Sequence, residues 1–177
     1  VTTAWGLSGR LDGIIWMVTE ALGVSITTFS AQNFGARNYE RMRKGYHTSL
    51  VLSFVLIGGL SAVLMVFSGP LSRLFIDDAA ISGYTTTIIH FIAPFYAIFS
   101  IIENASGSIR GAGVSFQPMV LTIFGTVVLR VIWLFAIMPL DPSLEHLLLV
   151  YPVTWIITAT MFTIYHHSGN WLGRATA

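Results

Sequence analysis

An all-α membrane protein, a polytopic bundle of about five transmembrane helices, is the architecture this sequence points to, on three grounds. Of its 177 residues 54% are apolar and only 10% are charged, with a mean hydropathy of +0.75. A soluble domain carries about 25% charged residues, so such a surface could not be kept in water. Apolar runs of about 20 residues recur, long enough to cross roughly 30 Å of hydrocarbon as helix. Those runs lack sustained alternation and are too long for barrel strands. Other classes fall away on composition. A net charge of +1 excludes a broadly basic, nucleic-acid-binding protein. The absence of cysteine removes disulfides, thiolate metal sites and Cys nucleophiles. The chain opens on Val1 without a signal-peptide arrangement and is read as a piece of a longer polypeptide.

The first span covers about 13–34 and contains Glu20; the second, about 46–68, has no Asp, Glu, Lys or Arg. The third, about 84–107, carries His90, Pro94 and Glu103. The fourth, about 118–138, is interrupted by Arg130, and the fifth covers about 147–167. In the connector "FSGPLSRLFIDDAAISG", Gly69-Pro70 reads as a helix stop and Asp77-Asp78 as the start of the third helix. "SGSIRGAGVSFQP" is glycine-rich and places Pro118 in the first turn of the fourth. "MPLDPSLEH" is a short acidic hairpin. No connector resembles a flexible interdomain linker, so residues 1–177 form a single transmembrane domain.

Basic residues orient the spans. The 35–45 connector holds four (Arg37, Arg41, Arg43, Lys44), 69–83 holds Arg73, 108–117 holds Arg110, 139–146 holds none, and the C-terminal tail adds Arg174. The richer alternate set, 35–45, 108–117 and the tail, belongs in the cytoplasm by the positive-inside rule. Arg10 is the one residue against this arrangement, and Asp12 beside it weighs little. "RNYERMRK" also fits a short amphipathic surface helix with Glu40 and Lys44 as an i,i+4 pair.

Two stretches, "ALGVSITTFSAQNFGARNYERMRKG" and "FIAPFYAIFSIIENASGSIRGAG", resemble the multidrug and toxic compound extrusion (MATE) transporter family. The first carries its Gln-Asn-x-Gly-Ala turn followed by basic residues, here Gln32, Asn33, Gly35 and Ala36; the second ends in Arg-Gly-x-Gly, here from Arg110 and Gly111. Their order and spacing resemble the family's C-terminal half. The resemblance implies a two-lobed, twelve-helix transporter working by alternating access, of which this chain would hold helices eight to twelve and lack the N-terminal lobe. It implies a small-molecule substrate, cationic or amphiphilic, exported from a bacterial or archaeal cytoplasmic membrane, and no cofactor besides a coupling sodium ion or proton. The family's coupling carboxylates stand on helices seven and one, which leaves the ion open. The first span also departs from the pattern, since "WMVTEALG" has no mid-span proline.

Ionisable groups at a helix centre cost about 2.5–3.5 kcal/mol to insert and are functional candidates by default. Glu20 shares a face with Trp16, Gly23 and Thr27, while Ile15, Val18, Leu22, Ile26 and Phe29 form the opposite face. An acid beside an aromatic ring suits a flat cation through charge pairing and cation–π attraction; a hydrogen-bonded packing role is the alternative. Glu103 shares a face with Tyr96, Ser100 and Gly107. Helix rise puts Glu103 roughly 10 Å above Arg110 and Glu20 roughly 25 Å above Arg37, so equal arginine levels would separate the acids by roughly 15 Å. Arg130, roughly 18 Å above Pro118, reads as half of a buried ion pair with either glutamate or the absent lobe, or as a coupling residue. Pro94 kinks its span. His90 is a packing residue or a proton handler. His166-His167 lack metal-ligand spacing, Trp133, Trp155 and Trp171 suit packing or an interfacial belt, and the Gly-x-Gly at 111–113 lacks a phosphate-binding setting. A lipid-linked glycan flippase, expected to carry a cluster of cavity cations, and a non-transporting membrane scaffold are the competing functions. With no nucleophile–base pair or metal constellation, an enzyme is not expected.

Overall fold

The computed structural model describes residues 2–76, 78–140 and 142–175. Their regular elements are all helical: α1 (Thr2–Leu11), α2 (Gly13–Gly35), α3 (Tyr39–Phe75), α4 (Ala79–Ile92), a 3₁₀ turn (Ala93–Phe95) and α5 (Tyr96–Gly111). After these come α6 (Phe116–Thr122), a π-helical stretch (Ile123–Val128), α7 (Leu129–Ala136), α8 (Leu144–Ser168) and α9 (Asn170–Ala175). Five stretches are long and apolar enough to cross a membrane: Gly13–Gly35, Tyr39–Phe75, Ala79–Gly111, Phe116–Ala136 and Leu144–Ser168. Their outer surface is apolar, with Met17, Val66, Leu74 and Phe135 all exposed, as lipid rather than water requires. The protein is an all-α, polytopic integral membrane protein.

Helix α5 is the centre of the bundle and packs against α2, α3 and α8. Its approach to α2 depends on missing side chains. A Cβ on Gly107 would lie 2.8 Å from the Gly23 carbonyl and 2.9 Å from Thr27 Oγ1, and one on Gly111 would strike the Thr27 carbonyl. Such small-residue spacing lets helix backbones meet where lipid gives no hydrophobic drive for association. Toward α3, Asn104 joins the helices: its Oδ1 accepts from Ser49 Oγ at 2.5 Å, and its Nδ2 donates to Ser53 Oγ at 2.9 Å.

Both family-like turns are helix C-terminal caps. At the end of α2, Asn38 N donates to Asn33 O (2.8 Å) and Arg37 N to Phe34 O (2.9 Å), with Arg37 at φ 53°. At the end of α5 the same pair of bonds runs from Val114 N to Ile109 O (3.4 Å) and Gly113 N to Arg110 O (2.9 Å), with Gly113 at φ 87°. This double-bonded cap needs a left-handed residue, which glycine adopts freely and arginine at some cost.

Several expectations are corrected. The second helix does not stop at Gly69-Pro70: α3 continues to Phe75 with Pro70 inside it. Proline removes one ladder bond, and neighbouring carbonyls find other donors. Ser72 Oγ donates to Gly69 O at 2.9 Å, and Met65 O accepts from Ser68 Oγ and lies 2.8 Å from His90 Nε2. The 35–45 connector shrinks to Ala36–Asn38, and Arg41, Arg43 and Lys44 form the opening turns of α3 rather than a separate surface helix. Asn38 caps that start by accepting from Arg41 N, and Glu40 pairs with Lys44 at 2.7 Å. α1 precedes the first expected span, where Gly6, Gly9, Arg10 and Asp12 obscure the helical pattern. Asp78 caps α4 through Ala80 N and Ile81 N; Asp77 lies outside the described residues, as does the side chain of Arg174. The fourth span widens to π-helix over Ile123–Val128, where Gly125 sits directly against Thr158 of α8.

Candidate functional site

Two cavities share a wall. The larger, of about 450 Å³, lies between the α1–α2 junction, α4, α5, α7 and α8, and its lining includes Asp12, Trp16, Tyr96, Glu103, Arg130 and Trp155. The smaller, of about 360 Å³, is lined by Trp16, Thr19, Glu20, Phe99, Glu103 and Arg110. Trp16, Phe99 and Glu103 border both. The aromatic wall is built edge to face. Trp16 meets Tyr96, Phe99 and Trp155 at centroid distances of 5.5, 5.0 and 6.0 Å, the geometry that ring quadrupoles favour.

Glu20 and Glu103 are brought to one level, and the expected 15 Å offset is wrong. Gly23, less than one turn from Glu20, faces Glu103 so closely that a Cβ there would lie 2.9 Å from Oε2. Gly111 faces Thr27 and Ser30, so α2 runs roughly 10 Å further than α5 before reaching Arg37. The two arginines stand at different levels, which removes the premise. Glu103 also pairs with Arg110 at 3.8 Å.

Arg130 pairs with neither glutamate; among the described residues the ion pairs are Glu40–Lys44 and Glu103–Arg110. Its guanidinium lies 4.5 Å over the Tyr151 ring, and Nε donates to Thr154 Oγ1 at 3.5 Å. Cation–π stacking and a hydroxyl hold it at the cavity wall.

Thr27 and Ser100 line neither cavity: Thr27 Oγ1 donates to Gly23 O at 2.8 Å and Ser100 Oγ to Ala97 O at 2.6 Å. Gln32, Gly35 and Ala36 are exposed at the cap of α2, where Asn33 Nδ2 donates to Phe29 O at 2.7 Å. Pro94 lies in the 3₁₀ turn where α4 passes into α5. His90 approaches Ser68 Oγ at 3.3 Å, away from both cavities.

Sequence reasoning passed over Asp12. It is buried at the α1–α2 junction, accepts from Tyr96 Oη at 2.5 Å through Oδ2, and has no hydrogen-bond partner at Oδ1. Burial raises its pKa, with the Tyr96 hydrogen bond acting in the opposite direction. A signal was present, since Asp12, Trp16 and Glu20 recur at i, i+4 and i+8 on one helical face. Among the described residues no group of three or more His, Asp or Glu side chains is placed to hold a metal ion.

A family model described as MatE matches residues 2–135. Among curated proteins, the chain is 24% identical to a probable multidrug resistance protein YoeA of Bacillus subtilis over 123 residues, 70% of this chain and 27% of that protein. It is 29% identical to a probable multidrug resistance protein NorM of Aromatoleum aromaticum over 113 residues, 63% of this chain and 24% of that one. A NorM of Thermotoga maritima matches at 24% over 113 residues, 64% of this chain and 24% of that one. The matched region thus spans about a quarter of the length of these relatives. With five apolar spans and a family match over most of its length, the chain belongs to the MatE family, the multidrug and toxic compound extrusion transporters.

Proposed function

We propose that the chain is part of a secondary active transporter that exports cationic or amphiphilic drugs or metabolites, driven by inward sodium or proton flow. The reading rests on one observation: two adjoining cavities in which Glu20 and Glu103 sit beside Trp16 and Phe99. Acids facing aromatic rings attract flat cations by charge and by ring quadrupole. Alternating access requires a second lobe across the site, and the remainder of a longer polypeptide supplies it. The 35–45 region and the C-terminal end face the cytoplasm, by the Lys/Arg asymmetry, in a bacterial or archaeal cytoplasmic membrane. The test is Glu20→Gln in the intact polypeptide. The amide keeps the shape, so efflux of a fluorescent cation is abolished while expression and melting stay near the parent's. Transport at the full parental rate removes Glu20 from the mechanism, and loss of folded protein assigns it to packing.

A further inference from the structure

A third cavity, of about 180 Å³, lies away from the aromatic site, between the start of α3, the end of α8 and α9. Its lining brings together Arg43, His47, His166, His167 and Trp171, with no Asp or Glu among the lining residues. The pocket is held in shape. His166 stacks on the ring of Tyr46 with centroids 3.9 Å apart and planes inclined by 24°, and its carbonyl accepts from Trp171 Nε1 at 3.0 Å. Tyr46 and Trp171 are themselves 2% and 1% exposed, so this floor is fixed by the core. His166 Nε2 is buried without a hydrogen-bond partner. His167 is oriented by contact of its Nδ1 with Thr163 O at 2.9 Å. Arg43 takes part in neither ion pair found among the described residues.

We propose that this pocket binds a phosphate group, and that its occupant is the head group of an anionic glycerophospholipid. A guanidinium with imidazoles around it supplies several N–H donors and positive charge to one point, the donor set that phosphate oxygens favour. The volume is below the roughly 300–1,000 Å³ of pockets that enclose a drug-sized ligand, yet it accommodates a phosphate with its glycerol. Lipid is favoured over a soluble anion by what adjoins the pocket. One turn along α3 from His47 stand the exposed Val51 and then Val55, and one turn back along α8 from His167 stands the exposed Ile164. Acyl chains therefore have an apolar track leading away from the charged end. Basic pockets between transmembrane helices on the cytoplasmic side bind anionic head groups in this way.

The experiment uses the full-length polypeptide carrying this chain, reconstituted in mixed dioleoylphosphatidylglycerol and dioleoylphosphatidylcholine. Native mass spectrometry after detergent release counts the lipids retained. Phosphatidylglycerol is retained over phosphatidylcholine by about fivefold or more, and the preference falls to parity in Arg43→Gln and in the His47→Gln/His167→Gln pair, while Arg43→Lys is intermediate. Should Arg43→Gln fail to fold, the histidine pair, at exposed positions, decides alone. Equal retention of the two lipids in the parent overturns the proposal, as does an unchanged preference in the variants. Displacement of phosphatidylglycerol by millimolar inorganic phosphate also overturns it, by showing a soluble-anion site. Transport is not part of the readout, so failure here leaves the export reading untouched.

Discussion

Replacing Tyr96 by phenylalanine deletes a single oxygen from the wall of the larger cavity. That oxygen donates to Asp12 Oδ2 at 2.5 Å, and the other carboxyl oxygen already lacks a partner. The variant therefore removes the short Tyr96 hydrogen bond from a buried carboxyl and leaves it with weaker partners, among them Trp16, while the ring keeps its packing on Trp16, 5.5 Å between centroids. Hydrogen bonds to charged groups are worth about 1.5–3 kcal/mol net, and stranding a buried acceptor costs about 1–3, so Tyr96→Phe should lose about 2 kcal/mol. If that loss resides in the pair, Asp12→Asn/Tyr96→Phe loses less than the sum of the single variants, by about 1 kcal/mol or more. The assay is reversible unfolding of the full-length protein in mixed detergent, followed by tryptophan fluorescence. Stability of Tyr96→Phe within about 0.5 kcal/mol of the parent, or strict additivity in the double variant, refutes the assignment of Asp12 as a buried, Tyr96-dependent carboxyl.

Other expectations follow from the same geometry. Gly107→Val drives α5 off α2, because a Cβ there already lies 2.8 Å from Gly23 O and Ile26 Cγ2; the loss is about 1–3 kcal/mol or more by the same unfolding assay. Gly58→Ala, in the middle of α3 with nothing within 4 Å, is neutral or stabilising by up to about 1 kcal/mol. With no native cysteine, single-cysteine labelling by an impermeant thiol reagent in intact cells should modify Ala80→Cys and spare Glu40→Cys; the reverse pattern overturns the orientation. Purified residues 1–177 in liposomes with an imposed sodium or proton gradient should not accumulate a fluorescent cation, and uptake that disappears when the gradient is collapsed would show a working transporter.

Fold and site differed in how far they could be read from the chain. The spans were legible because hydrocarbon thickness sets one length for every crossing, a signal that survives uncertain ends. The ends themselves were not. Pro70 reads as a stop locally, yet α3 runs on through it to Phe75, and nearby carbonyls take bonds from Ser72 and from His90, on a helix 20 residues further along the chain. The π-helical turn coincides with the close approach of Gly125 to Thr158, a contact between separate elements that no local pattern encodes. Asp12 was discounted beside Arg10 as a flanking charge, although its spacing to Trp16 and Glu20 was available in the sequence.

The relation of the two glutamates shows what kind of information was missing. Rise per residue measures position along a helix well, but comparing two helices needs their relative register, which packing sets. That register is written in Gly107 and Gly111, each placed where a side chain would collide with the backbone of α2. Sequence reading had Gly23 on the face of Glu20 as a merely small residue. Its opposite number is the carboxylate of Glu103, so the space left by one absent Cβ is the space in which the second acid sits. A Cβ at Gly23 would meet only the flexible end of Glu103, at Oε2, so the carboxyl has to shift within the wall shared by the two cavities while the two backbones keep their distance. Glu20, exposed on the adjacent turn, can therefore be changed without disturbing the register that Gly107 and Gly111 set.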